Sequence, residues 1–282
     1  MQAIFFKIIH ISRPHLWLYT LGSFLFGIHI ASVLGYEIPF LNTLFLMIVV
    51  ALPVNYAIYA LNDYYDESSD SLNPKKNELE YKASVNEKNL LYSALATFGL
   101  ITIFFIATQD NFTITLFTIW LVSVLLYNVP PFRFKARPGL DMVCAIIYPI
   151  WGMIGYISAG GTISNYSLVL GIFLLSCSFH LYSAIQDIPY DKQARIITSA
   201  VFISSPTLNI LICILLVSLS IIPIIEAGLI ATGIVTYMYS IFYSLHLCPK
   251  TFFESSTIEY KHFIYTHFII GMISSLTLFL YY

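Results

Sequence analysis

Four oxygen-bearing side chains crowd one short stretch of this chain. Asn62, Asp66 and Asp70 recur at intervals of four, with Asp63 beside them, in N-D-Y-Y-D-E-S-S-D-S-L-N-P-K-K from Asn62 to Lys76. In a helix, three residues so spaced fall within roughly 80° of arc, so one face carries the ligands. Carboxylate and amide oxygens are hard donors that suit Mg²⁺, an ion that keeps several waters and shares its shell with substrate phosphates. A diphosphate would complete such a site. A second acidic pair, Asp187 and Asp191, repeats the spacing in S-A-I-Q-D-I-P-Y-D-K-Q-A-R, with Lys192 and Arg195 directly behind it. Pro189 falls inside the pair, where it disfavours a helical Ile188 or else begins a new helix.

A third stretch, Y-N-V-P-P-F-R-F-K-A-R-P-G-L-D from Tyr127 to Asp141, spaces Arg133, Lys135 and Arg137 two apart on a proline-stiffened strand of loop. Their donors suit phosphate oxygens. Juxtamembrane cations also set topology or hold anionic lipid, and this loop taken alone does not separate the uses. The competing reading of the acidic clusters is a solvated loop, but carboxylates do little for topology and the spacing recurs. His180, seven residues before Asp187, is a candidate to line the same cavity. His10, His15, His29, His246, His262 and His267 lack metal-ligand spacing and read as packing or interface residues.

The elements that must position these groups are apolar. Of 282 residues 58% are hydrophobic and only 10% charged, with mean hydropathy +0.80, which places the chain in a bilayer. A net charge of −2 offers no electrostatic footprint for nucleic acid. About 20 apolar residues cross the hydrocarbon layer. Windows at Leu16–Leu34, Asn42–Leu61, Leu90–Thr108, Phe112–Tyr127, Met142–Ser158, Ser167–Ala184, Ala200–Ile222, Ile224–Leu245 and Phe263–Tyr282 predict an all-α integral membrane protein, a single polytopic domain over residues 1–282. Met1 to Trp17 has no small-residue cleavage site after its basic residues and reads as an interfacial helix leading into the first span. The four cysteines form no C-x-x-C pair and read as buried apolar residues. The 16% aromatic content suits interface belts or a cavity that stabilises a cation.

With nine spans, all 13 basic residues fall on one side, while the loops near Gly35–Phe40, Gln109–Asn111, Gly160–Asn165 and Ile222–Gly228 carry none. The expectation is a cytoplasmic N-terminus and a C-terminus on the opposite side. Only Glu37, Asp110 and Glu226 among the acidic residues lie opposite, so the polar chemistry faces the cytoplasm. That one-sidedness disfavours a transporter with acidic gates, whose polar groups belong near the midplane.

On these residues the chain resembles the UbiA superfamily of intramembrane prenyltransferases. The matching pieces are Ser12-Arg13-Pro14-His15, N-D-x-x-D-x-x-x-D at Asn62 to Asp70, Y-x-x-P-P-x-R-x-K-x-R-P at Tyr127 to Pro138, and Asp187 to Asp191. Two stretches resemble the lycopene elongase type: Asn62 to Lys76, and F-H-x-Y-S-A-x-x-D-I-x-x-D-x-x-A-x-I-x-T-x-A from Phe179 to Ala200. The resemblance implies helices around a central cavity opening to the cytoplasmic side, and Mg²⁺ on Asn62, Asp66, Asp70, Asp187 and Asp191, with Asp63 also catalytic. It implies substrate-binding roles for Arg13, Tyr127, Lys135, Arg137, His180, Tyr190 and Lys192. The reaction implied is prenyl transfer from an allylic diphosphate, dimethylallyl diphosphate for an elongase, to lycopene or a related carotenoid entering from membrane lipid. A quinone precursor, a chlorophyll-type ring or a glycerol phosphate is the alternative acceptor. Apart from Arg13, no Lys or Arg lies within a span to hold an acceptor carboxylate, which favours an apolar one.

Overall fold

The computed structural model describes residues 2–70, 87–162, 166–185 and 187–203, with separate helical positions between Thr207 and Leu280. Every regular element among the described residues is helical. In order these are α1 (Gln2–Ile11), a 3₁₀ helix (Pro14–Tyr19), α2 (Leu21–Val33), α3 (Phe40–Val49), a π turn (Val50–Val54) and α4 (Asn55–Asp70). There follow α5 (Glu87–Thr108), α6 (Asn111–Asn128), α7 (Leu140–Cys144), α8 (Ile150–Ser158), α9 (Tyr166–Ile185), α10 (Ile188–Gln193) and α11 (Ser199–Phe202).

Five segments are long and apolar enough to cross a membrane: Pro14–Val33, Phe40–Asp66, Asn89–Thr108, Asn111–Asn128 and Leu140–Ser158; Val169–Ile185 is a shorter apolar helix. They match the first six predicted windows in order. The last three windows fall mainly outside the described residues, as do Asn73 to Lys76 and the basic residues near Lys250 and Lys261. Three expectations need correction. The N-terminal helix ends at Ile11 rather than running on to Trp17, because Arg13 before Pro14 turns left-handed at φ 50, and span one opens with a 3₁₀ segment. Span five is interrupted by a 3₁₀ turn at Ala145–Ile147. Ala200 does not begin span seven but sits in α11, which Thr198 caps by accepting from the Val201 amide and which ends at an extended Ile203.

The helices form two compact units. The first comprises Met1–Ser32, Tyr36–Arg133 and Ile147–Gly161; the second comprises Val33–Gly35, Phe134–Ile146 and, among its described residues, those of Thr162–Tyr282. In the first unit Gly27 on α2 faces Gly152 and Gly155 on α8 so closely that a Cβ at Gly27 would meet the Gly152 carbonyl, and one at Gly155 that of Phe24. Small residues here replace side-chain packing with backbone contact, the usual device where lipid removes the hydrophobic incentive for helices to associate. Phe105 stacks on Phe117 at 4.2 Å between centroids, and Trp120 meets Trp151 edge-on at 5.1 Å. All four rings are buried, so these aromatics pack the core of the unit.

The π turn sets the phase of α4. Pro53 lies inside the second span, where it cannot donate to the helix ladder and its ring crowds the preceding turn. The helix answers with an i→i+5 turn, and the buried Asn55 Nδ2 donates to the carbonyls of Val50 (2.8 Å) and Ala51 (3.1 Å) while also meeting Thr20 Oγ1 at 2.8 Å. One inserted residue turns every later side chain by roughly 100°, so this break decides which way Asp63 and Asp66 point. Replacing Asn55 by Leu should strand those carbonyls and lower stability by about 1–3 kcal/mol. The denaturation midpoint in detergent measures it, and an unchanged midpoint would show that the carbonyls find other partners.

Candidate active site

α4 runs through the first acidic cluster without a break to Asp70, so Asn62 and Asp66 recur along one helical face at the end of the span. Asp63 accepts a hydrogen bond from Arg13 Nη2 at 2.5 Å, with the two side chains only 8% and 3% exposed. The left-handed turn at Arg13 delivers that guanidinium, which also lies over the Tyr59 ring at 4.7 Å. Asp66 accepts from Arg133 Nη2 at 3.0 Å, and there the arginine is 33% exposed. One helical turn therefore presents an amide and two carboxylates, each carboxylate with its own arginine.

The loop between Tyr127 and Asp141 carries one short helical turn. Tyr127, half-buried, closes α6; Arg133 is left-handed at φ 38; Lys135, half-buried, sits in a 3₁₀ turn, Phe134–Ala136. Arg133 goes to Asp66, and the exposed Arg137 lies 5.9 Å from the Phe134 ring centroid.

In the second unit Pro189 begins a helix instead of spoiling one. α9 ends at Ile185, Asp187 occupies the N-cap position of α10, and the Asp191 amide donates to the Asp187 carbonyl at 2.8 Å. Asp187 and Asp191 thus stand one helical turn apart, both half-buried, with Tyr190 half-buried between them and Lys192 exposed behind. His180 Nε2 lies 3.2 Å from Asp141 Oδ2. Sequence reasoning did not pair Arg133 with Asp66 and gave Asp141 no role in the site; an acid two residues after Gly139, opening an apolar run, was the available signal, since an ionisable group inside a span is costly unless it serves a purpose.

Among the described residues no three His, Cys, Asp or Glu side chains form a ready-made metal cage. Mg²⁺ does not require one, since one or two carboxylates with waters and substrate phosphate suffice. The donors on α4, and the Asp187–Asp191 turn, are of that kind, so the residues present fit the ion. A groove of about 420 Å³ in the first unit has another character: Glu37, Asn42, Thr108, Gln109, Asp110 and Ser158 are among its walls. Burial pushes the Asp110 carboxyl up, but hydrogen bonds from Thr113 Oγ1 and the amides of Thr113 and Phe112 outweigh it and hold the group below the usual range. With two acids and no basic wall residue it would repel a diphosphate, and it lies at the opposite end of the Phe40–Asp66 segment from Asp66.

The fold and these motifs define a class, the multi-pass helical membrane proteins that carry acidic pairs at helix ends. Residues 16–255 match the UbiA prenyltransferase family, and the chain belongs to it. Its relatives include a lycopene elongase/hydratase of Haloarcula japonica, 30% identical over 198 residues that cover 70% of this chain and 66% of the relative. One of Corynebacterium glutamicum is 26% identical over 280 residues, covering 95% and 94%. The chain thus spans a little under two thirds of the first relative and nearly all of the second. A UbiA homolog from Archaeoglobus fulgidus, solved bound to GPP and Mg²⁺, superposes with TM-score 0.72 at 18% identity over 97% of this chain and 98% of that one. The same protein bound to DMAPP and Mg²⁺ gives 0.73.

Proposed function

We propose that this chain transfers a prenyl group from an allylic diphosphate, dimethylallyl diphosphate by preference, to lycopene or a related carotenoid. What carries the reading is α4, where Asn62, Asp63 and Asp66 share one turn at the end of a span with two arginines in attendance. Asn62, Asp66 and Asp70 would hold Mg²⁺, with Asp187 and Asp191 as the second set of ligands. The ion, when bound, neutralises diphosphate charge and makes it a better leaving group. Lys135, Arg137, Lys192 and Arg13 donate to phosphate oxygens, with Tyr127, Tyr190 and His180 lining the substrate site. Such donors stabilise the charge that develops as the allylic C–O bond breaks and diphosphate departs with the electron pair. A double bond of the acceptor then forms the new C–C bond, and loss of a proton or capture of water completes the product. The donor site opens to the cytoplasmic side, as the one-sided loop charge suggests, and the acceptor enters from lipid.

The acceptor assignment draws on the lycopene elongase/hydratase relatives and on the lack of a basic residue within the spans to hold a carboxylate. Arg13, which directly precedes the first span, is engaged by Asp63. Expression in a host that makes lycopene, with pigments read by mass spectrometry, is expected to show gain of one or two five-carbon units. Unchanged lycopene alongside Mg²⁺-dependent diphosphate release from a prenyl donor would retain prenyl transfer and transfer the assignment to another acceptor. Absence of both would overturn the reading.

A further inference from the structure

A carboxylate with four close polar partners belongs to none of the acidic motifs. Asp141, at the start of α7, is fully buried. Its Oδ1 accepts from Ser199 Oγ (2.5 Å) and the Met142 amide (3.0 Å); its Oδ2 accepts from the Ser199 amide (2.8 Å) and faces His180 Nε2 at 3.2 Å. Those four partners use the lone-pair sites of an ionised carboxylate, which is how a buried charge becomes tolerable. They come from three segments: α7 itself, α9 and the start of α11.

Ser199 links this carboxylate to both sets of groups that the proposed reaction needs. Its Oγ accepts from the Gly139 amide at 2.7 Å, at the end of the turn that carries Lys135 and Arg137, and the Arg137 carbonyl in turn accepts from the amides of Leu140 and Asp141 at 3.1 Å. On the other side, Thr198 Oγ1 donates to Asp191 Oδ2 at 3.3 Å, and the Ile196 amide donates to the Asp191 carbonyl at 2.8 Å. Hydrogen bonds thus tie the cationic turn to Ser199 and Asp141, and the adjacent Thr198, one peptide bond away, ties the same segment to the second acidic pair, all inside one compact unit. A network so fully satisfied rigidifies what it joins.

We propose that Asp141 is a positioning residue: through Ser199 it locks the Lys135–Arg137 turn to the segment behind Asp191, so that phosphate donors and acidic ligands are presented to one metal-diphosphate as a pre-set pair. This rests on the reading of Lys135, Arg137, Asp187 and Asp191 given above. Asp141 need not touch substrate. Its effect is to spare the bound state the cost of ordering two loops.

The test is direct binding of Mg²⁺-pyrophosphate to purified full-length protein in detergent, by calorimetry, alongside thermal unfolding. Asp141→Asn and Ser199→Ala are expected to weaken binding about ten- to a hundredfold, the range seen when groups that orient ligands are removed. They should raise KM for the prenyl diphosphate more than they lower kcat, and Ser199→Thr, which keeps the hydroxyl, should restore both. Should Asp141→Asn fail to fold, Ser199→Ala decides, since it deletes a single hydroxyl. Binding as tight as wild type in folded Ser199→Ala would overturn the positioning role, and so would a weakening that Ser199→Thr does not repair. Lys135→Gln and Asp187→Ala serve as the reference. If they too bind as wild type does, the site reading itself fails; if they lose binding while the Asp141 and Ser199 variants keep it, only the positioning role fails.

Discussion

Asp66→Ala should lose on the order of 10³-fold or more in kcat and remain folded. The size follows from what the carboxylate is proposed to do. A ligand that keeps a metal over a departing diphosphate is worth several kcal/mol of charge stabilisation, and about 4 kcal/mol is roughly a thousandfold in rate. The expectation of a folded variant comes from the partner. Arg133 is 33% exposed and can carry its guanidinium into water when Asp66 is gone, so the broken pair behaves like a surface salt bridge, worth about 0–1 kcal/mol. Turnover measured against Mg²⁺ concentration distinguishes the roles. Loss of a metal ligand raises the Mg²⁺ requirement, whereas loss of an arginine partner does not. Arg133→Gln is the control: if it falls as far as Asp66→Ala, the carboxylate matters for holding the arginine and not for the metal. An Asp66→Ala enzyme with full turnover would remove the first acidic motif from the mechanism.

The motif that made Asp66 conspicuous was legible because it obeys a local rule. Spacing of four on a helix continuing out of an apolar window needs only the helical repeat, and α4 runs to Asp70 as that spacing requires. The first six apolar windows were legible for the same reason, since hydropathy over about 20 residues is a sum over neighbours. A sum is blind to Pro53, however. The proline sat inside the second window at no cost in hydropathy, while its missing N–H forced the π turn that re-aims the whole acidic face. Nor could spacing disclose that Arg133, left-handed at φ 38, pairs with Asp66, 67 residues away. Asp141 and Ser199 are 58 residues apart, and only the folded second unit makes them partners. Pro189 is the intermediate case: a new helix beginning there was one of two local outcomes, and the Asp187–Asp191 turn is the one realised.

Arg13→Ala presents the reverse of the Asp66 case, a large loss of stability whatever happens to turnover. Arg13 and Asp63 are 3% and 8% exposed, so neither charge can reach water when its partner is removed. Breaking such a pair from one side costs about 3–5 kcal/mol, because the remaining ion stays buried without compensation. Against a total stability of about 5–15 kcal/mol that is a substantial fraction, visible as early denaturation in detergent. The double variant Arg13→Met/Asp63→Asn removes both charges and should recover most of the loss, since a buried ion pair itself adds little over neutral groups of similar volume. The Tyr59 ring beneath the guanidinium would accept a methionine thioether in its place. A double-mutant cycle on the unfolding free energy gives the coupling directly, and a value under about 1 kcal/mol would show that this pair is solvated like an ordinary surface bridge. The same double variant decides what else Arg13 does. If its donors also hold a phosphate oxygen of the donor substrate, restored stability will come without restored turnover, and KM for the prenyl diphosphate will stay high. If Arg13 only neutralises Asp63, the stable double variant will turn over like wild type.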